Sequence, residues 1–134
     1  MKIEKVFSYR HLQHQWLSQL KEALEEVPND VFFEENDGSS LKREVTGLDA
    51  KLYKLLIRRF GEDVEKDLSP MAPENQFSVD FFLPNKPGVL IEVEKGKLPR
   101  LELDLMKIVN SIHRSPSRYG FGCIIAPKCS LVGY

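Results

Sequence analysis

The sequence predicts an α/β fold, a mixed central β-sheet flanked by helices, and three patterns carry that expectation. Two short apolar runs, Phe77 to Leu83 and Val89 to Glu94, alternate with a period of two around a Pro84-Asn85-Lys86-Pro87-Gly88 cluster, which reads as a hairpin. In other segments apolar residues recur at spacings of three and four, as in amphipathic helices. Between Val89 and Ala126 a strand, a helix and a further apolar strand follow one another, a crossover that implies a parallel pair and therefore a mixed sheet.

The elements follow in order. Leu12, Trp16, Leu20, Ala23 and Val27 form one stripe, giving a first helix from about Ser8 to Glu26, stopped by Pro28. His11 and His14 lie on it as exposed polar positions. Val31-Phe32-Phe33 suits a short strand, and Asn36-Asp37-Gly38-Ser39-Ser40 is turn chemistry. Thr46, with Asp49 three residues on, can cap a second helix running to about Phe60, with Leu48, Leu52, Leu55, Leu56 and Phe60 inward and Lys51, Lys54 and Arg58 outward. Ser69 to Asn75 reads as a linker into the hairpin. Pro99 suits the first turn of a third helix reaching about His113, with Leu101, Leu105, Ile108 and Ile112 as its buried stripe. Phe121 to Ala126, stopped by Pro127, reads as a fully buried strand.

Composition bounds the rest. With 134 residues, 42% hydrophobic and 29% charged, the chain is expected to form a single domain over residues 1–134 around one core. The start, Met1-Lys2-Ile3-Glu4-Lys5, has no apolar leader, and no run approaches the ~18 apolar residues of a membrane span. The expectation is a cytoplasmic protein with no membrane partner. Cys123 and Cys129 lack zinc-ligand spacing and read as free thiols without a role.

The net charge of −1 conceals an asymmetry. From Lys21 to Asp49 acids outnumber Lys and Arg nine to three, whereas from Lys95 to Lys128 Lys95, Lys97, Arg100, Lys107, Arg114, Arg118 and Lys128 face only Glu102 and Asp104. The later stretch suits either a surface that meets a polyanion or ordinary solvated helix charges.

The chemistry is concentrated in the hairpin. If the turn centres on Lys86, Asp80 stands opposite Glu92 on one face, and Glu94, two residues on, shares it. Like charges so placed repel unless a cation lies between them. Alternation alone would also suit the wet face of an ordinary hairpin. However, Phe82 and Leu90 share the carboxylates' face, so neither side of the hairpin looks freely solvated, and carboxylates among apolar groups need pairing or a metal. Mg²⁺ is held by one or two such carboxylates, with water and substrate phosphate completing its shell.

Asp80, an eleven-residue gap, and Glu92-Val93-Glu94-Lys95 on the next strand, then a helix and a strand ending in Ala126-Pro127, resemble the PD-(D/E)XK nuclease superfamily. The likeness is greatest to type II restriction endonucleases of the BamHI and BglII kind, in which glutamate or glutamine stands at the usual lysine position. It runs from about Phe77 to Pro127 and is weaker before. Ser78 and Val79 stand where the family's proline precedes the aspartate.

The resemblance implies a restriction-endonuclease-like αβββαβ core and a metal-dependent endonuclease acting on double-stranded DNA as a homodimer. It makes Asp80 and Glu92 ligands of Mg²⁺, with Mn²⁺ as a substitute, and gives Glu94 the attacking water. Lys97 and Arg100, with Lys95 beside them, would meet DNA phosphate. Cleavage would leave a 5′-phosphate and a 3′-hydroxyl. A further acidic group can come from an upstream helix, where Asp49 or Glu44 would serve. Two other readings stay open: a structure-selective repair or junction nuclease, and an inactive module with the same fold that binds nucleic acid or protein.

Overall fold

A computed structural model of the chain describes residues 14–28, 47–71, 77–94 and 98–125, with residues 98–100 described by backbone alone. Among them the order is α1 (Gln15–Glu26), α2 (Leu48–Phe60), β1 (Glu65–Leu68), β2 (Val79–Leu83), β3 (Gly88–Val93), α3 (Leu98–Arg114) and β4 (Tyr119–Ile125). The chain divides into two compact units, Met1–Gly61 and Glu62–Tyr134. No described helix is long and apolar enough to cross a membrane.

In the first unit α1 buries Trp16, Leu20, Ala23 and Leu24, four members of one helical face, and ends at Val27 just before Pro28 as expected. It packs on α2, whose Leu48, Leu52 and Leu56 are fully buried. Leu55 and Phe60, placed inward by the sequence pattern, are half-buried. The expected cap differs: Gly47 holds the N-cap position of α2, without a side-chain hydrogen bond, and Asp49 stands in the first turn, where a carboxylate complements the helix dipole. Across the surface, the Arg59 guanidinium on α2 joins Glu22 and Glu26, one turn apart on α1. α1 begins at Gln15 with His14 as an extended N-cap, so it starts later than the expected Ser8 and His14 does not lie on it. Thr46, the 31–33 strand, the 36–40 turn and His11 lie outside the described residues.

The second unit is a four-stranded sheet in the order β1-β2-β3-β4, with β1, β2 and β3 antiparallel and β4 parallel to β3. The mixed sheet follows from the hairpin and the α3 crossover, both legible in sequence. The hairpin pairs Phe81 with Ile91, Phe82 with Leu90 and Leu83 with Val89, the register that a turn centred on Lys86 requires. Every residue of β3 is buried, so neither of its faces is solvated.

Three features depart from the sequence reading. β1 was not expected: Glu65-Lys66-Asp67-Leu68 shows no apolar alternation because its first three residues are exposed, and it forms a margin of the sheet. β4 was expected to be fully buried, yet only Tyr119 and Ile125 are, because β4 is the opposite margin. The third concerns α3. Pro99 sits in its first turn as expected, but Leu105 is exposed while Asp104, Lys107 and Ser111 are buried beside Ile108. Periodicity ranks residues by polarity and cannot see that a buried carboxylate awaits Lys107 on the neighbouring strand.

Val79, Leu90, Ile108 and Tyr119 form a core cluster, with Leu68, Phe82, Ile112 and Ile124 packed against it. Gly122 lets α3 approach: a Cβ there would lie 2.1 Å from Cγ2 of Ile108. This close packing brings the polar side of α3 to β3.

Candidate functional site

The site begins with Asp80, half-buried on β2, and Glu92, 4% exposed on β3. Asp80 and Glu92 are the next residues beyond the Phe81–Ile91 pair on their two strands, close enough for the Asp80 charge to act on Glu92. Asp80 is oriented by the backbone, because the Val93 N–H donates to its Oδ2 at 2.7 Å. The side chain thus does the work of a ladder hydrogen bond where β2 begins.

Helix α3 supplies the other half. Lys107 Nζ lies 3.3 Å from Glu92 Oε1, 3.2 Å from Asp104 Oδ1 and 3.1 Å from the Ser78 carbonyl oxygen, to which it donates. Asp104 and Lys107 come from consecutive turns of α3, and all three charged side chains are buried. Ser111 Oγ donates back to the Lys107 carbonyl at 2.6 Å, satisfying a buried hydroxyl. Glu92 Oε1, though within ion-pair distance of Lys107, makes no aligned hydrogen bond.

Burial, and then the neighbouring Asp80, push the Glu92 carboxyl up to about 8; Asp104 adds to the rise and Lys107 opposes it. A consequence for stability follows. Relative to the unfolded chain, folding favours the protonated form of Glu92 between pH 4.5, the ordinary value, and about 8, while Lys107 favours the charged form that its ion pair needs. The stabilisation from that proton is whole below pH 4.5 and is lost as pH rises through about 8. Denaturant unfolding in metal-free buffer should therefore show stability falling between pH 5 and pH 8, with Glu92→Gln flattening the fall. An unchanged slope in the variant would show that Glu92 is not the group responsible.

Comparison with family models, with curated proteins and with solved structures finds no match to this chain.

The remaining expected residues are distributed as follows. Glu94 is buried just beyond β3, its backbone N–H donating to the Ile125 carbonyl at 2.8 Å. Lys95 and Lys97 lie outside the described residues, and Arg100 is in the first turn of α3 with its side chain undescribed. Asp49 belongs to α2 in the first unit, and Glu44 lies outside the described residues. Of the expected basic stretch, Lys107 is buried, whereas the exposed Arg118 pairs with Glu65 at 3.6 Å and lies over the Phe82 and Tyr119 rings. Cys123 is a free, half-buried thiol pushed up to about 11 by its apolar surroundings, which disfavours the reactive thiolate, and Cys129 is outside the described residues.

Sequence reasoning missed Lys107 and Asp104 as members of the site. A signal was present: Leu103, Met106 and Val109 stand outside the expected stripe of α3, so the helix has more apolar residues than one face needs. Those residues, with Leu105, are among the exposed large apolar side chains. Phe77, Leu103, Met106, Lys107, His113 and Arg114 line much of an open groove of about 340 Å³, so Lys107 joins the buried carboxylates to a surface channel.

Among the described residues no three His, Cys, Asp or Glu side chains form a group spaced to hold a metal ion. The pair of Asp80 and Glu92 is nonetheless the donor set that Mg²⁺ commonly takes from a protein, two hard carboxylates with the remaining positions left to water and phosphate. The buried Glu92 oxygen without an aligned hydrogen bond fits the same group.

Proposed function

We propose that the chain is a metal-dependent DNA endonuclease, a cytoplasmic phosphodiesterase built on a restriction-endonuclease-like core of the PD-(D/E)XK kind. The observation that carries the reading is the buried Glu92 set beside Asp80 by the hairpin register, with its carboxyl pushed up to about 8. Perturbed carboxylates of this kind gather where charge is handled. The element order α2-β1-β2-β3-α3-β4 supports it too, since this is the αβββαβ sequence of that core.

In this reading Asp80 and Glu92 hold Mg²⁺, or Mn²⁺ in its place, and the ion supplies Lewis acidity toward the phosphate and a lowered pKa for a bound water. Asp80 keeps its orientation through the Val93 N–H. Glu94 orients the attacking water and takes its proton. Lys95, Lys97 and Arg100 offset phosphate charge. The partner is double-stranded DNA.

A homodimer suits the exposed outer face of α3, where Leu105, Met106 and Val109 lie between Glu102 near the start of the helix and His113 near its end.

The deciding experiment is incubation of the chain with supercoiled plasmid, defined duplexes and branched junctions, in Mg²⁺ or Mn²⁺ against EDTA. Cleavage of duplex that needs the metal is expected. DNA binding should weaken as salt rises, and each of Lys95, Lys97 and Arg100 replaced by Ala should lower the log–log slope by about one unit. Cleavage confined to junctions would replace this reading with a structure-selective nuclease. The absence of cleavage in either metal would favour an interaction module, a reading to which one observation already lends weight: the ion pair of Lys107 with Glu92 partly neutralises the site from within.

A further inference from the structure

The surroundings of Lys107 resemble those of a bound cation more than those of an ordinary helix lysine. Its ammonium meets three oxygens, Oε1 of Glu92, Oδ1 of Asp104 and the backbone carbonyl of Ser78, at 3.1 to 3.3 Å. Two carboxylates and a main-chain carbonyl are the hard oxygen donors that a divalent ion takes, and an ammonium has three protons to offer them. Asp104 and Glu92 are 2% and 4% exposed, so the charge is compensated inside the protein rather than by water. Glu92 Oε1 lies 3.3 Å from this ammonium and, among the described residues, has no other partner of good hydrogen-bond geometry.

We propose that Lys107 is the built-in occupant of the cation position, so that a divalent ion and the Lys107 ammonium compete for Glu92. The inference rests on the nuclease reading for the identity of the ion and deepens it by naming what the ion displaces. Lys107 holds Glu92 and Asp104 in place until the ion arrives, and is a positioning residue rather than a ligand. Lys107 also lines the groove along α3. The site is thus held in reserve by a side chain of its own.

Competition and simple support make opposite forecasts for one measurement. A residue that only props up metal ligands weakens metal binding about 10- to 100-fold when it is lost. A competing positive charge strengthens it when lost, by about tenfold or more given how strongly unit charges a few ångströms apart interact near protein. Mn²⁺ and Mg²⁺ are titrated calorimetrically into the full chain, stripped of metal, as parent, Lys107→Met and Lys107→Arg.

Tighter binding in Lys107→Met, with Lys107→Arg close to the parent, is the expected result. Equal or weaker binding in Lys107→Met, while the parent binds the ion, overturns the competition and leaves the nuclease reading standing. If the parent binds neither ion, the nuclease reading fails and the competition with it. Should Lys107→Met unfold without metal, its unfolding midpoint in saturating Mn²⁺ decides: recovery to the parent's midpoint supports a cation position that either occupant fills, and no recovery overturns it.

Discussion

Asp80→Ala and Glu92→Ala should each abolish metal binding and DNA cleavage together, because each removes a ligand from a donor set of two. The effect should exceed that of any other single change in the chain. Glu94→Gln should behave differently: metal and DNA binding stay near the parent's, and cleavage slows by about 10²- to 10⁴-fold, the usual cost of losing a positioned acid–base group. Single-turnover cleavage, with Mn²⁺ binding measured on the same preparations, separates the two classes. Glu94→Lys is the informative control. If it cleaves as fast as the parent, residue 94 assists by charge and does not take the proton.

Phe81→Ala should cost the fold about 3 to 5 kcal/mol, because its ring is fully buried on β2 and the space it leaves cannot close. Phe81 pairs with Ile91 in the hairpin, and Asp80 is its immediate neighbour. A shift in the urea midpoint at unchanged m-value would register the loss. A cost below about 1 kcal/mol would mean that the sheet repacks freely there, and that the hairpin does not hold Asp80 rigidly against Glu92.

What was legible in the sequence is what local rules govern. The turn cluster from Pro84 to Gly88 and the period of two on either side set the strand register as far as the Phe81–Ile91 pair, one step short of Asp80 and Glu92. The length of the segment between β3 and β4, with a helical period and a proline in its first turn, required the parallel pair. What escaped depends on contacts distant in sequence. Lys107 and Asp104 have the polarity of surface residues, and their burial rests on each other and, for Lys107, on Glu92 and the Ser78 carbonyl, partners distant in sequence. Once Lys107 turns inward the whole helix turns with it, which is why Leu105 faces out against its apolar character. β1 escaped for the opposite reason: a four-residue strand whose first three side chains meet solvent carries no apolar signal at all.

That short strand has a consequence for the solution behaviour of the chain. A sheet margin can invite a neighbour to add a strand, which is how folded proteins begin to polymerise, and β1 is a margin among the described strands. Here the margin is four residues long, three of its exposed side chains are the charged Glu65, Lys66 and Asp67, and Asp67 takes a left-handed backbone angle, φ 55°, that a flat incoming strand cannot match. Sequence that looked too polar to be a strand is what keeps this one from acquiring a stranger.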